Sequence, residues 1–340
     1  MKTILTQPNQ TADYALFPLK YQWAWPRYKQ MLANFWTPEE IPMASDVAQW
    51  NSSELTSAER QMFLAVFEQV TTFDILRTAD ITQKLMPKIM APELIHCLTT
   101  QAFQECVHTH SYQYVIESLN LDQEEVYSRY RIVPEMRNRC EYAEQRSSEL
   151  STEADILRDL VFFYCIFEGV WFTMNLLGPI QSLARRGLMK GTGEIFQYIA
   201  RDEQVHVGIG VELIIDFLNE HPNLLTNDLR MQIIHDAKAA IKLEDAFIDY
   251  ALINPVIGYS AEDHKFTARH YAERWLNRLG LNVDFGGEHR LEWIDEMIAT
   301  KKEKNFFETR VMEYQVGQLT FDDQITQTEH SMGWDNPLCR

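Results

Sequence analysis

The chain has 340 residues, and its 31 Lys and Arg stand against 49 Asp and Glu, a formal net charge of −18. Such acidity repels phosphate backbones and anionic lipid, which argues against nucleic acid or a membrane surface as a partner. The five cysteines, Cys97, Cys106, Cys140, Cys165 and Cys339, show no C-x-x-C spacing. Neither a disulfide framework nor a cysteine metal site is therefore expected, and a reducing cytoplasm is the expected location.

The first twenty residues lack a long apolar run followed by a small-residue cleavage site, so no signal peptide is expected. Thr37-Pro38-Glu39-Glu40 reads as a helix start, with a cap residue, a proline at the first helical position and a glutamate at the third. Thr56 with Glu59 repeats the capping pattern, and Pro92-Glu93 opens another helix. Pro87, Asn120 and Pro222 read as stops. At least four long helices are expected between residues 57 and 220, and further helix from about 227 to 305. The stretch from Leu160 to Ala184 holds one charged residue, Glu168, and is long enough to span a bilayer. A lone carboxylate in lipid is costly and Gly178-Pro179 interrupts the run, so a helix buried inside the protein is the better reading. Residues 1–304 thus form a single all-α domain. The polar, aperiodic stretch 305–340 reads as a flexible tail.

Two of these helices carry polar residues on their apolar stripes. Alternating steps of four and three give Leu94, Leu98, Gln101, Glu105, His108, Tyr112, Val115 and Leu119 on one, and Phe196, Ile199, Glu203, His206, Gly210, Leu213 and Phe217 on the other. Each contains Glu-x-x-His, whose two side chains project to one side about a turn apart and can reach one ion. Asp74, on the stripe Phe63, Phe67, Val70, Asp74, Ile81, precedes the first motif by 31 residues. Glu168 precedes the second by 35. Roughly fifteen residues out and fifteen back, about 22 Å each way, bring a helical hairpin back to the same level. Each carboxylate therefore lies level with its own Glu-x-x-His, and two such hairpins make a four-helix bundle with six donors at its centre.

Four buried carboxylates without partners would each cost several kcal/mol. Two divalent cations balance them. A mixed imidazole and carboxylate set suits iron or manganese better than zinc or magnesium. Tyr112 follows His108 by four residues and puts a phenol beside the ions, either as a core tyrosine bonded to a donor carboxylate or as a side chain that a di-metal centre oxidises with O₂ to a buried radical. Phe172, Leu176 and Ile199 are candidates for its dry wall. His110, two residues from His108, points about 200° away and reads as structural.

The donor pattern resembles that of the ferritin-like di-iron and di-manganese carboxylate proteins. The motifs "FQECVHTHSYQYVIESL", "FFYCIFEGVWF", "IARDEQVH", "NFWTPEE" and "EYQVGQL" further resemble the radical-generating small subunit of class I ribonucleotide reductase, over residues 20 to 320. That resemblance implies a ferritin-like helical bundle with a dinuclear metal site in its four-helix core. It implies Asp74, Glu105 and His108 as ligands of one metal and Glu168, Glu203 and His206 as ligands of the other, with Tyr112 as the radical residue. It makes Trp36 the electron-transfer tryptophan, Asp202 the carboxylate linking it to His108, and Tyr314 the tail tyrosine that passes the radical to the large subunit. From spacing alone Trp36 could equally be a hydrophobic staple, Asp202 a surface charge and Tyr314 an incidental tail aromatic.

A subgroup that "YQWAWPRY" and "HTHSYQYVIESLNLD" resemble has phenylalanine at the radical position and glutamate at the first ligand, and uses manganese with iron. This chain has Tyr112 and Asp74, which favours Fe/Fe, with Mn/Fe and Mn/Mn as the other pairs. The resemblance also implies a homodimer and a large (alpha) subunit partner that reduces ribonucleotides. The competing expectations are a ferritin-like oxidase or monooxygenase with its own small substrate, and an iron-storage or purely structural metal bundle.

Overall fold

The stripes fold as long rods that bury them against one another. The computed structural model describes residues 3–6, 14–148 and 150–303, which lie in a compact unit over residues 1–299 and the first residues of a second unit over 300–340. The helices are α1 (Ala24–Ala33), α2 (Ala44–Trp50), α3 (Ser57–Ala79), α4 (Pro92–Leu119), α5 (Gln123–Ile132), α6 (Pro134–Arg146), α7 (Glu153–Leu160), α8 (Thr173–Leu177), α9 (Pro179–Ala184), α10 (Lys190–Glu220), α11 (Asn227–Ala251), α12 (Ala261–Arg278) and α13 (Trp293–Glu303). No strand occurs among the described residues, so the protein is all-α. Isolated bridges pair Leu5 with Ile89 and Val256 with Tyr259.

The local signals act where the chemistry places them. The Thr56 hydroxyl accepts from the Glu59 backbone N–H at 3.2 Å, and the Glu59 carboxylate accepts from the Thr56 N–H at 2.8 Å, which satisfies two donors at the start of α3. Pro92 sits in the first turn of α4, and Asn120 ends that helix in the left-handed conformation at φ 53°. The Thr37-Pro38 signal is weaker than its sequence suggests: it opens only the single 3₁₀ turn Pro38–Glu40, because the chain leaves it extended at Ile41.

The core consists of α3, α4, α10 and the rod made of α7, α8 and the segment between them. Phe67 meets Tyr112 while Asp74 meets His108, so α3 and α4 run antiparallel. Tyr164 packs on Gly210 while Thr173 bonds Gln204, so the rod and α10 also run antiparallel. A Cβ on Gly210 would lie 1.9 Å from Tyr164, so that contact requires glycine. Every residue from 159 to 183 is buried. The membrane-length apolar run is therefore the central rod of the protein, its apolar surface removed from water by neighbouring helices rather than by lipid. Val161–Phe172 is wound as π-helix, which periodicity does not reveal. Glu168 lies within these wide turns, and the Thr173 hydroxyl donates to its carbonyl at 3.1 Å.

Candidate metal centre

Four elements deliver the six expected donors to one place. Asp74 comes from α3, Glu105 and His108 from α4, Glu168 from the π-helical segment, and Glu203 and His206 from α10, and each is 0% exposed. Their donor atoms form two overlapping groups: Asp74, Glu105, His108 and Glu203, and then Glu105, Glu168, Glu203 and His206, each within 4.8 Å. Helix spacing alone gives each hairpin its own site. The geometry differs in one respect, because Glu105 and Glu203 belong to both groups and stand between them, so each would help to hold either ion.

The two histidines are oriented alike. His108 turns Nδ1 toward Asp74, Glu105 and Glu203, each at 3.2 Å, and directs Nε2 at Asp202 at 3.5 Å. His206 turns Nδ1 toward Glu105 and Glu203, each at 3.4 Å, and its Nε2 lies 2.9 Å from the amide oxygen of Gln104. The Gln104 acceptor on His206 Nε2 holds the proton there and leaves the inward Nδ1 lone pair free for a cation, while Asp202 faces His108 Nε2 without a hydrogen bond of ordinary geometry.

The electrostatics require a counter-charge. Burial pushes the Asp74 carboxyl well above its usual range, against the hydrogen bond from His108. Burial also raises Glu168, to about 8, against the attraction of Arg77. Burial would lower His206, but the carboxylates of Glu105 and Glu203 outweigh it and raise the ring to about 10. Asp74 Oδ2, Glu105 Oε1, Glu168 Oε2, both oxygens of Glu203 and His206 Nδ1 are buried without a hydrogen bond of ordinary geometry. Six orphaned donors directed at one another, mostly oxygen with imidazole nitrogen, are what a pair of hard divalent cations takes up. The donor set fits two metal ions.

The remaining expected residues fall into three cases. Tyr112 is 0% exposed on α4, with Phe67 and Phe196 edge-on to its ring at 5.9 and 6.0 Å. Phe172, expected in its wall, packs on Phe73 and Phe167 instead. Burial raises the phenol well above its ordinary range, and Asp74 adds more than any other carboxylate. Trp36 is buried and donates from Nε1 to Asp202 at 2.9 Å, so indole, carboxylate and His108 stand in line. Tyr314 lies outside the described residues. His110 pairs with Glu39 at 3.0 Å in solvent, away from the site.

Several supporting residues were not among the sequence candidates. Arg77 and Gln101 bond Glu168, Gln104 bonds His206, Tyr164 bonds Gln101, and Tyr198 stacks on Trp36 at 5.2 Å. Gln101 had a signal, being a polar residue on an apolar stripe one turn before Glu105. Arg77, three residues after Asp74 and four before Ile81, also falls on its stripe, so a charged residue at a core-facing position was a signal there too.

The sequence matches the family described as "Ribonucleotide reductase, small chain" over residues 13–313. It is 35% identical over 328 residues to the ribonucleoside-diphosphate reductase subunit beta of Chlamydia pneumoniae, covering 93% of this chain and 94% of that protein. The ribonucleoside-diphosphate reductase small chain of Nicotiana tabacum is 28% identical over 305 residues, covering 89% and 88%. Among solved structures, the R2 subunit of ribonucleotide reductase from Clostridium botulinum superposes with a TM-score of 0.81 at 26% identity, covering 87% of this chain and 94% of that one. The family match over residues 13–313 and the 35% identity along nearly the whole chain show that the chain belongs to the ribonucleotide reductase small-chain family.

Proposed function

We propose that the chain stores a one-electron oxidising equivalent on Tyr112 and delivers it to a large subunit that reduces ribonucleotides. Family membership makes it the small, beta component of class I ribonucleoside-diphosphate reductase, an oxidoreductase. The observation that carries the radical reading is the placement of a fully buried phenol one helical turn from a donor set for two ions. When bound, the metal pair supplies O₂ activation and oxidising power. Asp74, Glu105, His108, Glu168, Glu203 and His206 hold it, and Tyr112 with Asp74 in place of phenylalanine and glutamate favours two irons over a manganese-containing pair.

The chain's own groups do the rest. Gln104 fixes the proton on Nε2 of His206, and Asp202 faces Nε2 of His108. Asp74 is placed to take the phenolic proton of Tyr112 as the electron leaves. Phe67 and Phe196 keep water from the ring. Trp36, Asp202 and His108 form the route by which the equivalent leaves and returns, and the tail at 305–340 with Tyr314 continues it as the docking segment for the large subunit. A second copy of the chain completes a homodimer.

An oxidase acting on its own substrate needs a cavity open to the ions. The cleft of about 280 Å³ between α1 and α4 is lined by Leu32, Phe35, Trp36, Phe103 and Asp202 among others, and by none of the six donors. Reconstitution with ferrous iron and O₂, followed by electron paramagnetic resonance, tests the proposal. A tyrosyl signal that disappears in Tyr112→Phe is expected; its absence under iron, manganese and mixed loading overturns it.

A further inference from the structure

Glu168 differs from the other candidate donors in what holds it from behind. Arg77 Nε donates to its Oε1 at 2.5 Å, and Gln101 Nε2 donates to the same oxygen at 2.8 Å. Oε2 is buried and takes no hydrogen bond. Both gripping side chains are themselves fixed. The Arg77 guanidinium lies 4.5 Å from the ring centre of Tyr164 and 5.0 Å from that of Phe163, and its Nη1 bonds Asp80 at 2.6 Å. The Gln101 amide oxygen accepts from the Tyr164 hydroxyl at 2.9 Å, which orients its NH₂ toward Glu168. Arg77, Gln101, Tyr164 and Glu168 are all 0% exposed, so no water competes for these bonds.

We infer that Arg77 and Gln101 are positioning residues that turn Glu168 into a one-oxygen donor, committing Oε1 to the protein and leaving Oε2 alone to face the ion. The inference rests on the dinuclear reading above. Its physical basis is that a carboxylate can chelate through both oxygens only if both are free, and here two charge-assisted or amide bonds would have to break first. At the other end of the pair Asp74 Oδ1 faces the His108 ring at 3.2 Å, with no arginine or amide donor of the kind that grips Glu168 among its hydrogen bonds. The two ends therefore differ in what holds their lone carboxylate from behind.

Two variants of the full-length chain separate the parts. Gln101→Leu removes one grip without changing charge. Arg77→Met combined with Asp80→Asn removes the other while leaving the net charge unchanged. Each is loaded with manganese(II), its binding isotherm is measured, and crystals are examined by anomalous scattering. In the unaltered protein one oxygen of Glu168 should lie on the ion. Gln101→Leu should weaken binding of the second ion about tenfold or more, and in the double variant Glu168 should rotate to place both oxygens on it. Both oxygens on the ion in the unaltered protein, or isotherms and Glu168 geometry unchanged in the variants, overturn the inference while leaving the dinuclear reading intact. No ion beside Glu168 in the unaltered protein overturns both.

Discussion

Gln104 and His206 meet across two helices: the amide oxygen of one lies 2.9 Å from Nε2 of the other, and both are buried. Gln104 stands one residue before Glu105 on α4, so its backbone is set by one candidate donor while its side chain orients another on α10. Gln104→Leu removes the acceptor and lets the ring exchange tautomers. The expected result is a 10–100-fold weaker affinity for the ion on the His206 side, read by manganese(II) titration, with the first ion little affected. Equal affinities in the two proteins would show that the ring is held by packing alone.

The fold was legible in the sequence because its driving force is. Stripes of period 3.6 ending at Asn120 and Pro222 become the rods α4 and α10, and the polar residues that interrupted those stripes are the ones drawn together. The π-helical winding around Glu168 was not legible, since it depends on how neighbouring helices pack on a run that is apolar on every side. Nor was the sharing of Glu105 and Glu203, because helix spacing gives height along a bundle but not distance across it. Arg77 escaped for a related reason: it stands on the same stripe as Asp74, but its partner lies 91 residues away and spacing along one helix does not name it.

Asp202 separates the metal donors from the indole. Its Oδ2 accepts from Trp36 at 2.9 Å and stands 3.5 Å from His108 Nε2, while Arg201 donates to Oδ1 at 2.9 Å. Asp202→Asn places an NH₂ where an acceptor was needed and disturbs the His108 tautomer. Trp36→Phe leaves the carboxylate and removes only the indole. Trp36→Phe should therefore still bind two ions and still show a Tyr112 signal once a small reductant supplies the missing electron. Its ribonucleotide reduction with the large subunit should fall by two orders of magnitude or more, as a lost relay would require. Reduction within threefold of the unaltered protein would remove Trp36 from the route.

Glu68 gives a pH dependence far from the metals. Burial raises its carboxyl to about 7, and Arg129 at 3.5 Å only partly offsets this. The folded state then holds a proton that the unfolded state, at the ordinary glutamate value, has lost, so stability falls as pH rises from about 4.5 to 7 and levels above it. Glu68→Gln escapes that loss. It should match the unaltered protein at pH 4.5 and exceed it by roughly 3 kcal/mol at pH 8, measured by urea unfolding of the metal-free chain. A difference that is the same at both pH values would place the effect in packing.

The outer face of α1 and α4 carries more apolar surface than an isolated subunit needs. Leu32, Phe35 and Phe103 are 51%, 45% and 51% exposed, and the two phenylalanines stack at 6.0 Å along the rim of the cleft beside Trp36. Exposed aromatic side chains grouped in this way mark surfaces that a partner covers. If the second copy of the chain packs here, Phe35→Asp with Phe103→Glu buries two unpaired charges at the centre of the contact, and the dimer should weaken by about 2 kcal/mol or more, some 30-fold in dissociation constant. Sedimentation equilibrium reads this directly. Metal stoichiometry should not change, because both side chains point away from the six donors, and that control separates a lost interface from a lost fold. A dimer of unchanged affinity would move the contact to another face of the bundle.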